Sequence, residues 1–266
     1  MILLPEAGSK FYNKEGMPPI TVSDEVVTVA AEDIAEQYIR AQAAIEKFFG
    51  IPLLASSIKA IEIEGDADDS DEDTASLLGE FTKYKTLRLY VNRIRLEPNR
   101  NWREVFSHEI GHGFHNQVWG DFSIYQTQEV FCEAMAEMME PIVREGGDFN
   151  SVARRLRRSM MTSDRLLFGP PTTWEDYPDL VDKRKDAAQL FYLVNRYGLD
   201  TVLNLGSQEP LFLEKASTAS LREEVGGEDS KYNHHLLNKL DSSMAATFGI
   251  NRIQLFEDAR DWFGRL

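Results

Sequence analysis

Trp102-Arg103-Glu104-Val105-Phe106-Ser107-His108-Glu109-Ile110-Gly111-His112-Gly113-Phe114-His115 is the stretch from which both architecture and chemistry can be read. Asn101 stands before it as a helix N-cap, and Glu104 falls at the third helical position, so a helix is expected to begin here. Residues four apart lie one above the other on a helix. Val105, His108 and His112 then share one face, while Phe106, Ile110 and Phe114 share another. An amphipathic helix with one apolar side to bury is expected. His108 and His112 form the two ends of an H-E-x-x-H pattern, and imidazoles at that spacing can grip one zinc ion. Glu109 lies close enough to take a proton from a zinc-bound water. A third protein ligand would leave the fourth position for that water, whose pKa the metal lowers to about 7. The plainer reading is a pair of solvated histidines on a surface helix.

The third ligand must come from elsewhere. The pattern H-E-x-x-H-x-x-G-x-x-H fails, because His115 and Val118 occupy its last two fixed positions. Downstream runs Gln128-Glu129-Val130-Phe131-Cys132-Glu133-Ala134-Met135-Ala136-Glu137-Met138-Met139-Glu140. Its carboxylates recur every three or four residues, and apolar residues fill the gaps. That pattern suits a solvated acidic face. It equally suits a helix carrying one ligand glutamate, with a second glutamate a turn later to orient a ligand histidine.

These two segments together resemble the gluzincin metallopeptidases, in which H-E-x-x-H on one helix is followed by a ligand glutamate on the next, often within E-x-x-A-E. Glu133-Ala134-Met135-Ala136-Glu137 matches that form, with twenty residues between His112 and Glu133. The resemblance implies zinc held by His108, His112 and Glu133, with Glu137 behind a ligand and Glu109 as catalytic base. Glu129 remains an alternative third ligand, since Glu129 to Glu133 also fits loosely. The run from His108 to His115, followed by Asp121-Phe122-Ser123-Ile124-Tyr125, is similar to the H-E-x-G-H-x-x-H region of thimet-type and F-type oligopeptidases. Phe191 to Gly198, with Phe248-Gly249-Ile250 and Trp262-Phe263, is similar to the helical C-terminal part of aminopeptidase-like members. The Gly-x-Met-Glu-Asn signature of true aminopeptidases is absent, which points toward an endopeptidase or oligopeptidase. Such enzymes stabilise the oxyanion with a tyrosine or histidine, and Tyr177, Tyr192, Tyr232, His234 and His235 are candidates. The resemblance also implies that the strand before the zinc helix, Leu87 to Asn92, is the sheet edge along which an extended substrate lies.

Outward from this core, residues 1 to 22 read as irregular. Ser23-Asp24 is expected to cap a long helix ending at Gly50, with Val27, Ile34, Tyr38, Ile45, Phe48 and Phe49 as its apolar stripe. Ile58 to Ile63 and Phe81 to Val91 read as two strands. Residues 64 to 73 carry Asp66, Asp68, Asp69, Asp71, Glu72 and Asp73. Asp69, Asp71, Asp73 and Glu80 mimic positions 1, 3, 5 and 12 of a calcium loop, but Thr74 stands where its glycine belongs, so a solvated acidic loop is favoured. After Gly146-Gly147 comes a basic helix around Arg154 to Arg158. A loop follows at Phe168 to Thr172, then mainly helix from Asp179 to Leu266. The expected fold is α+β and zincin-like. Residues 1–147 would form the N-terminal lobe with both site helices, and residues 148–266 a helical C-terminal lobe.

The chain has 266 residues, enough for a sizeable core. Its net charge of −15 argues against nonspecific nucleic-acid binding and against anionic membrane surfaces. Cys132 is the single cysteine, which excludes an intrachain disulfide and a Cys-Cys metal site. A cysteine-liganded site of the peptide deformylase kind is excluded too, since Cys132 lies downstream of the motif. Met1-Ile2-Leu3-Leu4-Pro5-Glu6 has no basic leader and no long apolar run, so a cytoplasmic location is the default expectation. The sequence leaves the oligomeric state open. The expected activity is zinc-dependent hydrolysis of a peptide or protein substrate. Two rivals are a zincin-fold protein that keeps zinc without turnover, and a structural protein with a chance motif.

Overall fold

The computed structural model describes residues 9–66, 78–82, 84–97, 101–119, 126–161, 183–207 and 241–266. Over 126–132, 183–185 and 206–207 it describes the helical backbone alone. The fold is mixed α and β. The contacts divide the chain into two compact units, Met1–Gln117 with Met139–Phe149, and Val118–Met138 with Asn150–Leu266.

The first unit is built on a five-stranded sheet of β1 (Ser9–Tyr12), β2 (Ile20–Ser23), β3 (Ala60–Glu64), β4 (Gly79–Phe81) and β5 (Thr86–Tyr90). Their order is β1-β2-β3-β5-β4. The central pairs β2–β3 and β3–β5 are parallel, and the outer strands β1 and β4 are antiparallel to their neighbours. Ile20, Ile61 and Leu87 stand in one cross-strand row, with Ile63 beside Leu89. All five are buried, so alternation defines one core-facing side. On the opposite side Arg88 joins the strands. Its guanidinium lies 2.6 Å from Glu62 and 3.3 Å from Glu80, and Glu80 also accepts from Tyr90 at 2.6 Å. Burial, then the hydrogen bond to Glu80, pushes the Tyr90 phenol well above its ordinary value.

Three expectations change here. Residues 9–12 and 20–23 are strands rather than irregular chain. They are four residues each, too short to show a period, and lie among prolines. The long helix is α1 (Ala31–Phe49), which starts after Ala30 rather than at Ser23-Asp24, and Val27 is 87% exposed. Ile34, Tyr38 and Ile45 are fully buried as the stripe requires, and Gly50 closes the helix at φ 71°. Phe81 to Val91 is not one strand. The chain reverses between β4 and β5, with Lys85 at φ 65° donating from its N–H to the Thr82 carbonyl. Residues 91–96 are already helical, as α2 (Val91–Leu96).

Next come α3 (Trp102–Trp119) and α4 (Gln126–Arg144). The Asn101 side chain accepts from the N–H groups of Arg103 and Glu104 at 3.0 and 3.1 Å, the cap read from the sequence. After α4, Gly147 donates to Ile142 and Gly146 to Val143, a paired C-terminal closure. A Cβ at Gly147 would sit 2.4 Å from the Ala44 carbonyl oxygen, so only glycine allows α1 to pass this close.

The second unit continues with α5 (Phe149–Met161), α6 (Lys183–Tyr197), α7 (Leu199–Ser207), α8 (residues 241–248) and α9 (Arg252–Gly264). Phe191, Val202, Leu205, Met244, Leu255 and Phe263 form its buried apolar centre. Each fully buried side chain of this kind contributes roughly 1.5–3 kcal/mol. Arg252 is 7% exposed and makes a two-pronged pair with Asp241, at 2.8 and 2.9 Å. The acidic loop from residue 67 onward lies outside the described residues, as do Asp121 to Tyr125 and Phe168 to Thr172. No helix among the described residues is long and apolar enough to cross a membrane.

Candidate metal centre

Helix α3 differs from the amphipathic helix its pattern suggests. Val105, Phe106, Ser107, Glu109, Ile110, Gly111, His112, Gly113, Phe114, His115 and Asn116 are all buried. A helix covered on every side belongs to the interior, and its polar residues must be there for a reason other than solvation. The solvated-histidine reading therefore loses its premise. Gly113 permits part of this packing, since a Cβ there would lie 2.9 Å from Ile58 and 3.4 Å from Phe81. A buried hydrogen bond from Gln37 on α1 to the Ser107 hydroxyl, 3.3 Å, holds the turn just before His108. Ser107 donates in turn to the Arg103 carbonyl at 2.7 Å.

His108 and His112 stack edge to face, with ring centroids 4.8 Å apart and planes at 84°. His108 is half-buried and His112 is 8% exposed. One ligand atom from each of His108, His112 and Glu133 can be chosen so that all three lie within 4.8 Å of one another. Two imidazole nitrogens and one carboxylate oxygen form a donor set that suits a divalent transition metal, with zinc the common occupant. Glu109, the neighbour of the first histidine, is 5% exposed. Glu137, one turn beyond Glu133 on α4, is 7% exposed among the buried Ala134, Met135, Ala136 and Met138. The side chain of Glu129 lies outside the described residues.

His115 is a residue whose burial the sequence does not announce. It is fully buried, and burial first, then the neighbouring charge of His112, pulls its pKa down to about 3. A histidine seven positions from His108 was visible, but its burial follows from the covering of α3. Of the oxyanion candidates, Tyr192 is on α6, 6% exposed, with its ring 6.0 Å from Trp262. Tyr177, Tyr232, His234 and His235 lie outside the described residues.

Strand β5 does not hold the edge position expected of Leu87 to Asn92. It is flanked by β3 and β4, which makes β4 the edge on that side. In the antiparallel ladder Tyr90 pairs with Leu78 and Thr82 with Thr86 through hydrogen bonds. Gly79 falls between such pairs, so its own N–H and C=O point away from β5. A Cβ at Gly79 would lie 2.9 Å from Val105, so β4 runs against α3 one turn before the histidine pair.

No protein-family model matches the chain, and no curated protein matches it in sequence.

Proposed function

We propose that this protein is a zinc-dependent metallopeptidase of the gluzincin kind. The observation that carries the reading is the convergence of His108, His112 and Glu133 within 4.8 Å, beside the buried Glu109. When bound, zinc would polarise the scissile carbonyl and make a water acidic enough to attack near neutral pH. Glu109 takes the proton of the attacking water and returns it to the leaving amine. Its burial in a helix covered on all sides strengthens its interactions with developing charge. Glu137 sits one turn from Glu133, at the spacing of a carboxylate that orients a ligand.

An extended substrate can add to the outer side of β4, where Gly79 turns its peptide groups outward. Backbone bonds there would hold the peptide beside the part of α3 that leads into His108 and Glu109. An open-ended strand site favours internal peptide bonds, in keeping with an endopeptidase or oligopeptidase.

The test is to incubate zinc-supplied protein with a diverse peptide mixture and read new termini by mass spectrometry, beside a Glu109→Gln control. Cleavage by the natural sequence alone supports the reading. Equal, absent cleavage in both, with zinc retained at one equivalent, would replace it with a zinc-keeping binding protein.

A further inference from the structure

The second unit contains a groove of about 680 Å³ between α6 and α9. Its lining includes none of His108, Glu109, His112 and Glu133. Its volume falls in the range of small-ligand sites. Tyr192, Trp262 and Ile250 give its lining aromatic and apolar surface. Asp258, Asp261, Arg196 and Arg265 line it too. Among the described residues these two carboxylates and two guanidiniums make no ion pair with one another. Opposite charges that share a groove without pairing offer separate contacts to a ligand bearing both signs.

The order of these charges along the groove is set by the helices. The Phe191 ring lies 6.0 Å from that of Phe263 near the end of α9, while Tyr197, six residues later, lies 4.7 Å from Phe248, just before α9 begins. The helices are therefore antiparallel, with Asp258 toward one end and Arg265 toward the other. Asp258, Arg196 and Arg265 all line the groove. Arg196 is held over the Tyr197 ring at 5.9 Å, which leaves Arg265 as the guanidinium for an anion. Gln254 donates to one oxygen of Asp258 at 2.7 Å and fixes its carboxylate. Arg265, the C-cap of α9, stands seven residues after Asp258, about 10 Å at 1.5 Å per residue. An extended peptide covers that span with about three residues.

We propose that this groove binds a short peptide of about three residues with free termini and an apolar or aromatic side chain. The ammonium group meets Asp258 and Asp261, the carboxylate meets Arg265, and the side chain lies on Tyr192 and Trp262. Peptide hydrolysis is the class of reaction that supplies such a ligand, but binding here does not depend on the metal site.

Calorimetric titration of the full chain carrying Glu109→Gln, zinc supplied, with the tripeptide Ala-Phe-Ala tests this. One site with Kd between about 10 µM and 1 mM is expected. N-acetylation or C-amidation of the peptide should each weaken binding about tenfold or more. In Asp258→Asn the acetyl group should cost nothing further, and in Arg265→Gln the amide should cost nothing further. Asp258 is half-buried on α9 and Arg265 is exposed just past its end, so both substitutions leave the helix's buried residues intact. The proposal is overturned by no binding at about 5 mM peptide, or by binding that neither substitution alters. Binding abolished by chelation yet indifferent to Asp258 and Arg265 would also overturn it, since the peptide would then sit at the metal. None of these outcomes depends on whether the protein cleaves peptides.

Discussion

Glu129 and Glu133 are one helical turn apart on α4, and spacing alone admits either as a ligand. Glu133 lies close enough to His108 and His112 to share one ion with them, while the side chain of Glu129 lies outside the described residues, so metal retention decides between the two. Glu133→Ala should lower zinc affinity by more than the roughly 10–100-fold that loss of an outer partner costs. Glu137→Gln should fall within that range, and Glu129→Ala should stay within about threefold. Competition with a chromogenic chelator measures all three. Loss of metal in Glu129→Ala alone would mean that the ligand assignment is wrong. The closeness of His108 and His112 was legible because five adjacent letters on one helix fix it. Tyr192 was legible only as a tyrosine, and its neighbours Trp262 and Asp258, some seventy positions away, were not.

At the scale of elements, legibility followed length and punctuation. Helix α3 was found because Asn101 caps it, and α1 ended where Gly50 stands. The start of α1 was misplaced because Ser23 and Asp24 look like a cap, whereas Ser23 ends β2 and the helix waits until Ala31. The β4–β5 turn was missed because no Asn-Gly or Asp-Gly pair marks it, and Lys85 takes the positive φ itself. Burial of α3 on all sides was hidden because its contacts come from elements far off in the chain. That burial has a measurable consequence at Gly113. A helical Gly→Ala change ordinarily gains about 1 kcal/mol. Here the new methyl would meet the fully buried Ile58 at 2.9 Å. Overpacking of roughly 1–3 kcal/mol should outweigh the gain. Gly113→Ala should therefore lower the urea midpoint or leave it unchanged, and a clear rise would show that α3 can move away from Ile58.

The whole molecule should lose stability in acid by two separable routes. His115 is fully buried, and its pKa in the fold is about 3, against an ordinary 6.5. A depressed histidine pKa means that the unfolded chain binds the proton more readily. Its contribution is complete above pH 6.5 and falls away as pH drops from there toward 3. Asp241 acts lower. Burial alone would raise its pKa, but the hydrogen bonds and charge of Arg252 outweigh this and hold it below 3.8. Its contribution is present above 3.8 and is lost only as pH falls further. Between pH 6 and 5 the histidine therefore acts without the carboxylate. In chelator-treated protein, where metal release plays no part, unfolding free energy should fall with a slope approaching about 1.4 kcal/mol per pH unit from this one group. His115→Gln should remove that slope, whatever it does to stability at pH 8. Asp241→Asn should keep the slope and cost about 2 kcal/mol at every pH above 5, because it leaves the Arg252 charge buried with a weaker partner. Urea titrations at pH 5, 6 and 8 separate the two. An unchanged slope in His115→Gln would mean that the imidazole takes up its proton inside the fold. The interior around α3 would then hold charge far more easily than its burial implies.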